Sequence, residues 1–262
     1  MLSERTDALV LKTVPYSNTS LIVTFYTEKY GRLTAIAKGA RRRQHTIEGA
    51  IETLSLGEAF FYIKKNRSMA TLKDYDAFED FSDIRKSLER FYAACAVIEY
   101  LLEGVADYES EPELFSLAVS ALDAIAKGHF ESAVAAFIIQ ALNIAGVFPS
   151  VTNCSVCSKP LPKESPLLYA TTHKAFLCSE CIALCPYITF PPQVGAIISG
   201  ILRVGNKIRT LQLPKQLLPR LLRLATVVFE LNFGKRLHQT EKLIAEQRNP
   251  LNECSFGKSA SL

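Results

Sequence analysis

Four cysteines carry the most specific chemistry in this sequence. Cys154-Ser-Val-Cys157 and Cys178-Ser-Glu-Cys181 give the spacing C-x2-C-x20-C-x2-C. Two such knuckles can each turn a pair of thiolates inward, and four thiolates close a tetrahedral zinc site with no position left for water. A closed site of this kind, one Zn2+ per chain, is structural: it folds a module of about 40 residues whose own core is too small to hold it. A redox CxxC and chance pairing are the competing readings. Cys185 and His173 are spare donors nearby, Cys95 falls on an apolar helical stripe and reads as core, and Cys254 sits in a loose tail.

A second cluster is cationic. Lys38, Arg41, Arg42 and Arg43 place four cations within six residues, directly after the alternating stretch Arg32 to Ala37. The guanidinium fork suits phosphate oxygens, and cations this close repel one another unless an anion or open solvent takes up the charge. A solvated loop is the plain alternative. Arg32, Lys64, Lys65 and Arg67 would join a DNA-binding surface if they share that face. The aromatic residues Tyr16, Phe25, Tyr26, Tyr30, Phe60, Phe61, Tyr62 and Tyr75 fall in the same region, where rings pointing inward make core and rings pointing outward can stack on bases.

Catalytic signatures are missing. HExxH, GxxxxGK[ST] and GxSxG do not occur, and the four histidines are scattered. The expectation is a binding protein and not an enzyme. A metal-dependent nucleic-acid enzyme would need an open coordination position, which four thiolates do not leave. A zinc-ribbon transcription or RNA-binding factor would share the cysteines and the basic charge, and would differ in preferring particular sequences.

Charge is distributed unevenly along the chain. Residues 1–78 hold 12 Lys+Arg against 8 Asp+Glu, residues 79–150 hold 4 against 12, and residues 151–262 hold 14 against 6. A polyanion would meet positive potential at both ends of the sequence and repulsion in its middle. The N-terminus shows no basic segment followed by an apolar run, and the most apolar window, Ala133 to Phe148, is interrupted by Gln140 and Asn143. No membrane partner is expected. Seven cysteines without an export signal suit a reducing, cytoplasmic setting.

The elements that must position these groups follow from periodicity. Ala8 to Val14, Ser20 to Thr27, Arg32 to Lys38, Ala59 to Lys64 and Ala70 to Tyr75 read as five short strands with one long connection, from Gly39 to Leu56. A small closed oligonucleotide-binding barrel fits, and an open five-strand sheet fits nearly as well. Near Asp80 the period becomes helical. Ile84, Leu88, Phe91, Cys95, Ile98 and Leu102 form one apolar stripe, Ser110 and Glu113 read as a capping box around Pro112, and Glu131 to Ala145 reads as a buried helix ending at Gly146. Helical signal returns at Pro192 to Leu202 and after Pro214. The expected fold is α+β and multidomain: a five-stranded barrel over 1–78, a mainly helical domain over 79–150 and 186–247, an inserted four-cysteine zinc module over 151–185, and a flexible tail over 248–262.

These pieces in this order resemble the bacterial recombination mediator family RecO over roughly residues 5–245. The run Asn18 to Thr27, the run Tyr30 to Arg42 with Lys38-Gly39-Ala40-Arg41 at its centre, Gly146-Val-Phe-Pro149 before the first CxxC, and Phe233-Gly-Lys-Arg-Leu237 are similar to that family's recurrent stretches. Ser158 follows Cys157 where the family often has glycine. The resemblance implies a protein of the bacterial cytoplasm and nucleoid that binds single- and double-stranded DNA and anneals complementary strands. With its partner RecR it would help load RecA onto DNA coated by single-strand-binding protein (SSB). For the acidic, Phe-ended SSB tail, the helical domain offers Arg220, Arg223, Lys235 and Arg236 beside apolar positions.

Overall fold

The computed structural model describes residues 2–40, 51–63, 69–183, 185–246 and 256–257. Its first five strands, β1 (Leu2–Pro15), β2 (Leu21–Thr27), β3 (Gly31–Ala37), β4 (Leu56–Ile63) and β5 (Ala70–Glu79), close into a barrel in the order β1-β2-β3-β5-β4. This is the oligonucleotide-binding arrangement, so the closed alternative holds over the open sheet. β1 makes closure possible because it pairs with β4 along its first half and with β2 along its second. A bulge between Val10 and Lys12 separates the later part of that second ladder. A short parallel ladder from Ala35/Ala70 to Ala37/Leu72 completes the ring.

Alternation fills the barrel. Val23, Phe25, Leu33, Ala35, Ala37, Ala59, Phe61 and Tyr75 point inward, with the Phe25 ring edge-on to Phe61 at 5.2 Å between centroids. The small alanines of β3 make room for these rings. On the outer surface, Leu9, Leu11 and Tyr26 are equally buried, because they belong to the core of the helical part, where Tyr26 meets Phe115.

That helical part comprises α1 (Leu88–Glu103), α2 (Pro112–Ala126), α3 (Phe130–Ile144), α4 (Pro192–Val204), α5 (Leu218–Phe233) and α6 (His238–Glu246). The helix α3 is buried from Ser132 through Leu142 and packs against α1, α2, α4 and α5, as its near-continuous apolar sequence requires. Two local expectations fail. The stripe along α1 does not hold at its start: Leu88 is 63% and Phe91 41% exposed, and Ala93, Ala94, Val97 and Leu101 face the core instead. Periodicity gave the pitch but not which side meets a neighbour. The capping box is also absent: the Ser110 hydroxyl donates to the Glu28 carbonyl on the barrel at 2.8 Å, and Glu111 precedes the helix without a side-chain cap. The helix α6 was not legible in the sequence.

Between α3 and α4 lies a small sheet, β6 (Leu167–Ala170), β7 (Ala175–Leu177) and β8 (Tyr187–Phe190), extended at the edge of β8 by β9 (Phe256–Gly257). The tail therefore contributes a paired segment where none was expected. Leu167, Tyr169, Phe176, Ile188 and Phe190 face the helical core, while Ala170 and Leu177 face Cys154 and Ile182. Two-sided alternation thus welds the cysteine knuckles to the helices. Among the described residues, no helix is long and apolar enough to cross a membrane.

Candidate metal centre and nucleic-acid interface

The four predicted cysteines converge. The sulfur atoms of Cys154, Cys157, Cys178 and Cys181 all lie within 4.8 Å of one another, and Cys157 Sγ is 3.7 Å from Cys178 Sγ. A tetrahedron with metal–sulfur bonds of about 2.3 Å has sulfur–sulfur edges of about 3.8 Å, so the Cys157–Cys178 edge matches one and the four sulfurs are compatible with a bound zinc. Local turns set it up. Ser158 N–H donates to the Cys154 carbonyl and Ile182 N–H to the Cys178 carbonyl, closing each knuckle. Ser158 itself sits at φ 59°, a left-handed position. A glycine there would adopt it without strain, so with serine the knuckle keeps its turn at a backbone cost of about 1 kcal/mol. Across the cage, Lys159 and Glu180 pair at 2.7 Å and tie the two knuckles together.

Electrostatics favour a central cation. Burial opposes ionisation of Cys154, but the backbone N–H groups of Cys157, Cys178 and Val156, with the Cys157 thiol, hold its pKa down at about 6. Donation to the Cys178 thiol, burial, and the Cys157 and Cys154 sulfurs push Cys181 up to about 12. One thiolate therefore forms readily and the next is resisted, and a divalent ion at the centre removes that resistance. The spare donors do not join the cage: His173 Nδ1 lies 3.6 Å from Cys185 Sγ and 3.1 Å from Thr172 Oγ1.

The predicted cationic residues separate into groups. Lys38 follows β3 in a turn whose Gly39 has φ 73°, and buried Ala40 anchors the turn to the barrel core. Lys38 is exposed and makes no ion pair among the described residues. Arg41, Arg42, Arg43, Lys64, Lys65 and Arg67 lie outside the described residues.

Arg32, at the other end of β3, points out of the barrel toward the helical part. Its Nε donates to Asp107 Oδ1 at 2.6 Å, a terminal nitrogen donates to the Leu102 carbonyl, and its carbonyl accepts from Tyr108 N–H. Its side chain is only 19% exposed. Next to it, a Cβ on Gly31 would lie 1.8 Å from the Glu109 carbonyl oxygen. The Gly31-Arg32 stretch thus latches the barrel to the segment before α2.

The residues considered for the SSB tail also differ. Lys235 pairs with Glu103 at 3.0 Å and Arg236 with Glu230 at 3.1 Å. Arg220 and Arg223, one turn apart on α5 and half-buried, make no ion pair among the described residues. Of the aromatics, Phe25, Tyr26, Phe61 and Tyr75 are buried, Tyr16 is exposed, and Tyr30, Phe60 and Tyr62 are half-buried. Two cations that sequence reasoning passed over, Arg5 and Lys73, stand beside Phe60 and Tyr62 on neighbouring strands. Only cross-strand register brings them there.

Comparison with known proteins covers the barrel and most of the helical part. A family model described as Recombination protein O N terminal matches residues 1–81, and one described as Recombination protein O C terminal matches residues 85–241. A DNA repair protein RecO of Myxococcus xanthus is 30% identical over 236 residues, covering 90% of this chain and 94% of its own. The DNA repair protein RecO of Syntrophus aciditrophicus is 31% identical over 211 residues, covering 79% and 80% respectively.

Proposed function

The chain belongs to the RecO family of DNA repair and recombination proteins, and from that premise we propose that it is a non-catalytic DNA-binding mediator. Lys38 and the adjoining Arg41, Arg42 and Arg43 neutralise phosphates of single- and double-stranded DNA and release counterions. Screening two backbones at once lowers the repulsion between complementary strands, so annealing needs a holding surface and no bond-making residue. With RecR the protein helps load RecA onto SSB-coated single strands in the bacterial cytoplasm and nucleoid. Zinc in the four-cysteine cage braces the insertion. Arg220 and Arg223 are the better placed of the four candidate contacts for the acidic SSB tail, since Lys235 and Arg236 already have carboxylate partners.

The observation that carries this reading is the placement of Lys38: an exposed cation on a turn of an oligonucleotide-binding barrel, three residues before a run of three arginines. The test is annealing of complementary oligonucleotides with and without SSB. Wild type should accelerate it, and alanines at Arg41, Arg42 and Arg43 should weaken DNA binding and flatten its salt dependence by up to about 3 in the logarithmic slope. An unchanged slope removes this loop from the mechanism. Sequence-selective binding without annealing would favour a zinc-ribbon transcription or RNA-binding factor.

A further inference from the structure

We propose that the outer face of β1, β4 and β5 is a second nucleic-acid contact, where Phe60 and Tyr62 stack bases of a single strand while Arg5 and Lys73 take the adjoining phosphates. The proposal rests on the DNA-binding reading above and gives it a further place on the barrel and a strand preference.

Phe60 and Tyr62 lie two apart on β4 and so share a face. That face is outward, because Ala59, Phe61 and Ile63 fill the barrel. Their ring centroids are 5.6 Å apart and both rings are partly open to solvent. On one side, β1 sets Arg5 opposite Phe60, with the guanidinium carbon 5.2 Å from the ring centroid. On the other, β5 sets Lys73 Nζ 5.9 Å from the Phe60 ring and 5.5 Å from the Tyr62 ring, where it also donates to the Tyr62 hydroxyl at 3.2 Å. Two adjacent rings flanked by cations match what an extended single strand presents, a base and a phosphate at each step.

The contacts already present do not block this use. An exposed cation–π contact is weaker than stacking of a base on a ring, so an arriving base displaces the cation, which turns to the phosphate. The carboxylates confine the site. Glu58 holds Arg5 at 2.5 Å, Asp74 accepts from its neighbour's N–H, and Asp7 and Asp76 flank Glu58 in register. Asp74 also stands opposite Phe60 in register, so negative charge runs along this face from Glu58 to Phe60 and leaves the Tyr62–Lys73 end as the favourable one.

The usual oligonucleotide face of such barrels is less available here. Strands β2 and β3 turn Ile22, Thr24, Thr34 and Ile36 outward, and at their far end Tyr26 and Arg32 are covered by or latched to the helical part. A duplex keeps its bases paired inside, so rings on an open sheet surface select single strands.

The test compares full-length, metal-loaded wild type with a Phe60→Leu/Tyr62→Leu double variant, titrating fluorescent oligo(dT) and a mixed-sequence duplex of equal length. Outward leucines keep apolar bulk but remove the π faces. Single-strand affinity should fall about tenfold while duplex affinity stays within about twofold. Tyr62→Phe alone should bind like wild type, and Arg5→Gln/Lys73→Gln should lower the single-strand salt slope by up to about 1.4. Undiminished single-strand binding by the leucine variant, or an equal loss on both ligands, overturns the platform. In either case an intact contribution from Lys38 and its neighbouring arginines leaves the DNA-binding reading standing. A wild type that binds neither ligand fells both.

Discussion

Substituting Gly31 by alanine tests the latch between barrel and helical part. The added methyl would overlap the Glu109 carbonyl oxygen at 1.8 Å, a backbone atom that no rotamer change can move aside. Segment 107–109 would have to retreat by roughly 1 Å in a closely packed setting. That retreat strains the Tyr108 N–H to Arg32 carbonyl bond and the Arg32–Asp107 pair. The left-handed backbone at φ 62° adds about 1 kcal/mol for a residue with a Cβ. The hydrogen bond contributes about 1 kcal/mol more, and the ion pair, discounted because Asp107 is well exposed, about 1 kcal/mol or less. The expected loss is on the order of 3 kcal/mol, a melting point lower by roughly 6–12 °C for a chain of this size. Thermal and urea unfolding, followed by circular dichroism, measure it. Arg32→Ala should destabilise as well, the double variant should lose less than the sum of the two, and the salt slope of DNA binding should not change with Arg32→Ala. A Gly31→Ala protein that melts within about 1 °C of wild type refutes the latch. So does an Arg32→Ala protein whose salt slope falls as far as that of Lys38→Ala, because then Arg32 is a phosphate contact after all.

Two further expectations concern the cage and α6. Elemental analysis should find about one zinc per chain, lost on Cys154→Ser or Cys178→Ser together with the fold of the small sheet. Because metal uptake displaces protons, affinity should fall on acidification, and more steeply below about pH 6, where Cys154 also takes up a proton; a competition titration against pH that stays flat would contradict four-thiolate ligation. Glu99 on α1 accepts from His238 N–H at 2.8 Å and Gln239 N–H at 2.9 Å, and so caps α6 from outside the helix. Glu99→Ala should cost about 1–2 kcal/mol and speed amide exchange in α6. Burial raises the pKa of this carboxyl, with the two N–H groups offsetting part of the rise. Its ionisation is therefore less favourable in the folded chain, and this group's contribution to stability should grow as pH falls toward the carboxylate range; Glu99→Gln should lose less than Glu99→Ala and remove that dependence.

Short-range spacing determined much of this protein. Two CxxC knuckles fix a four-sulfur cage because each turn is made within five residues, and only the approach of the knuckles to each other needs the fold. Alternation fixed the barrel strands, and near-continuous apolarity fixed the central helix α3. What depended on partners distant in sequence was decided by the tertiary structure. Arg32 looks like any cation beside the Lys38 loop until topology brings Asp107, 75 residues away, to its Nε. The helix α6 has a polar sequence, and its first turn is capped by Glu99, 139 residues before His238. The side on which α1 is covered, and so the exposure of Leu88 and Phe91, depends on which helices pack against it. Arg5, Phe60, Tyr62 and Lys73 become one surface only because β4 pairs with β1 and β5 in a particular register. A local pattern states what a segment can bury or ligate, and chain closure decides which charges are neutralised inside and which are left to meet a phosphate.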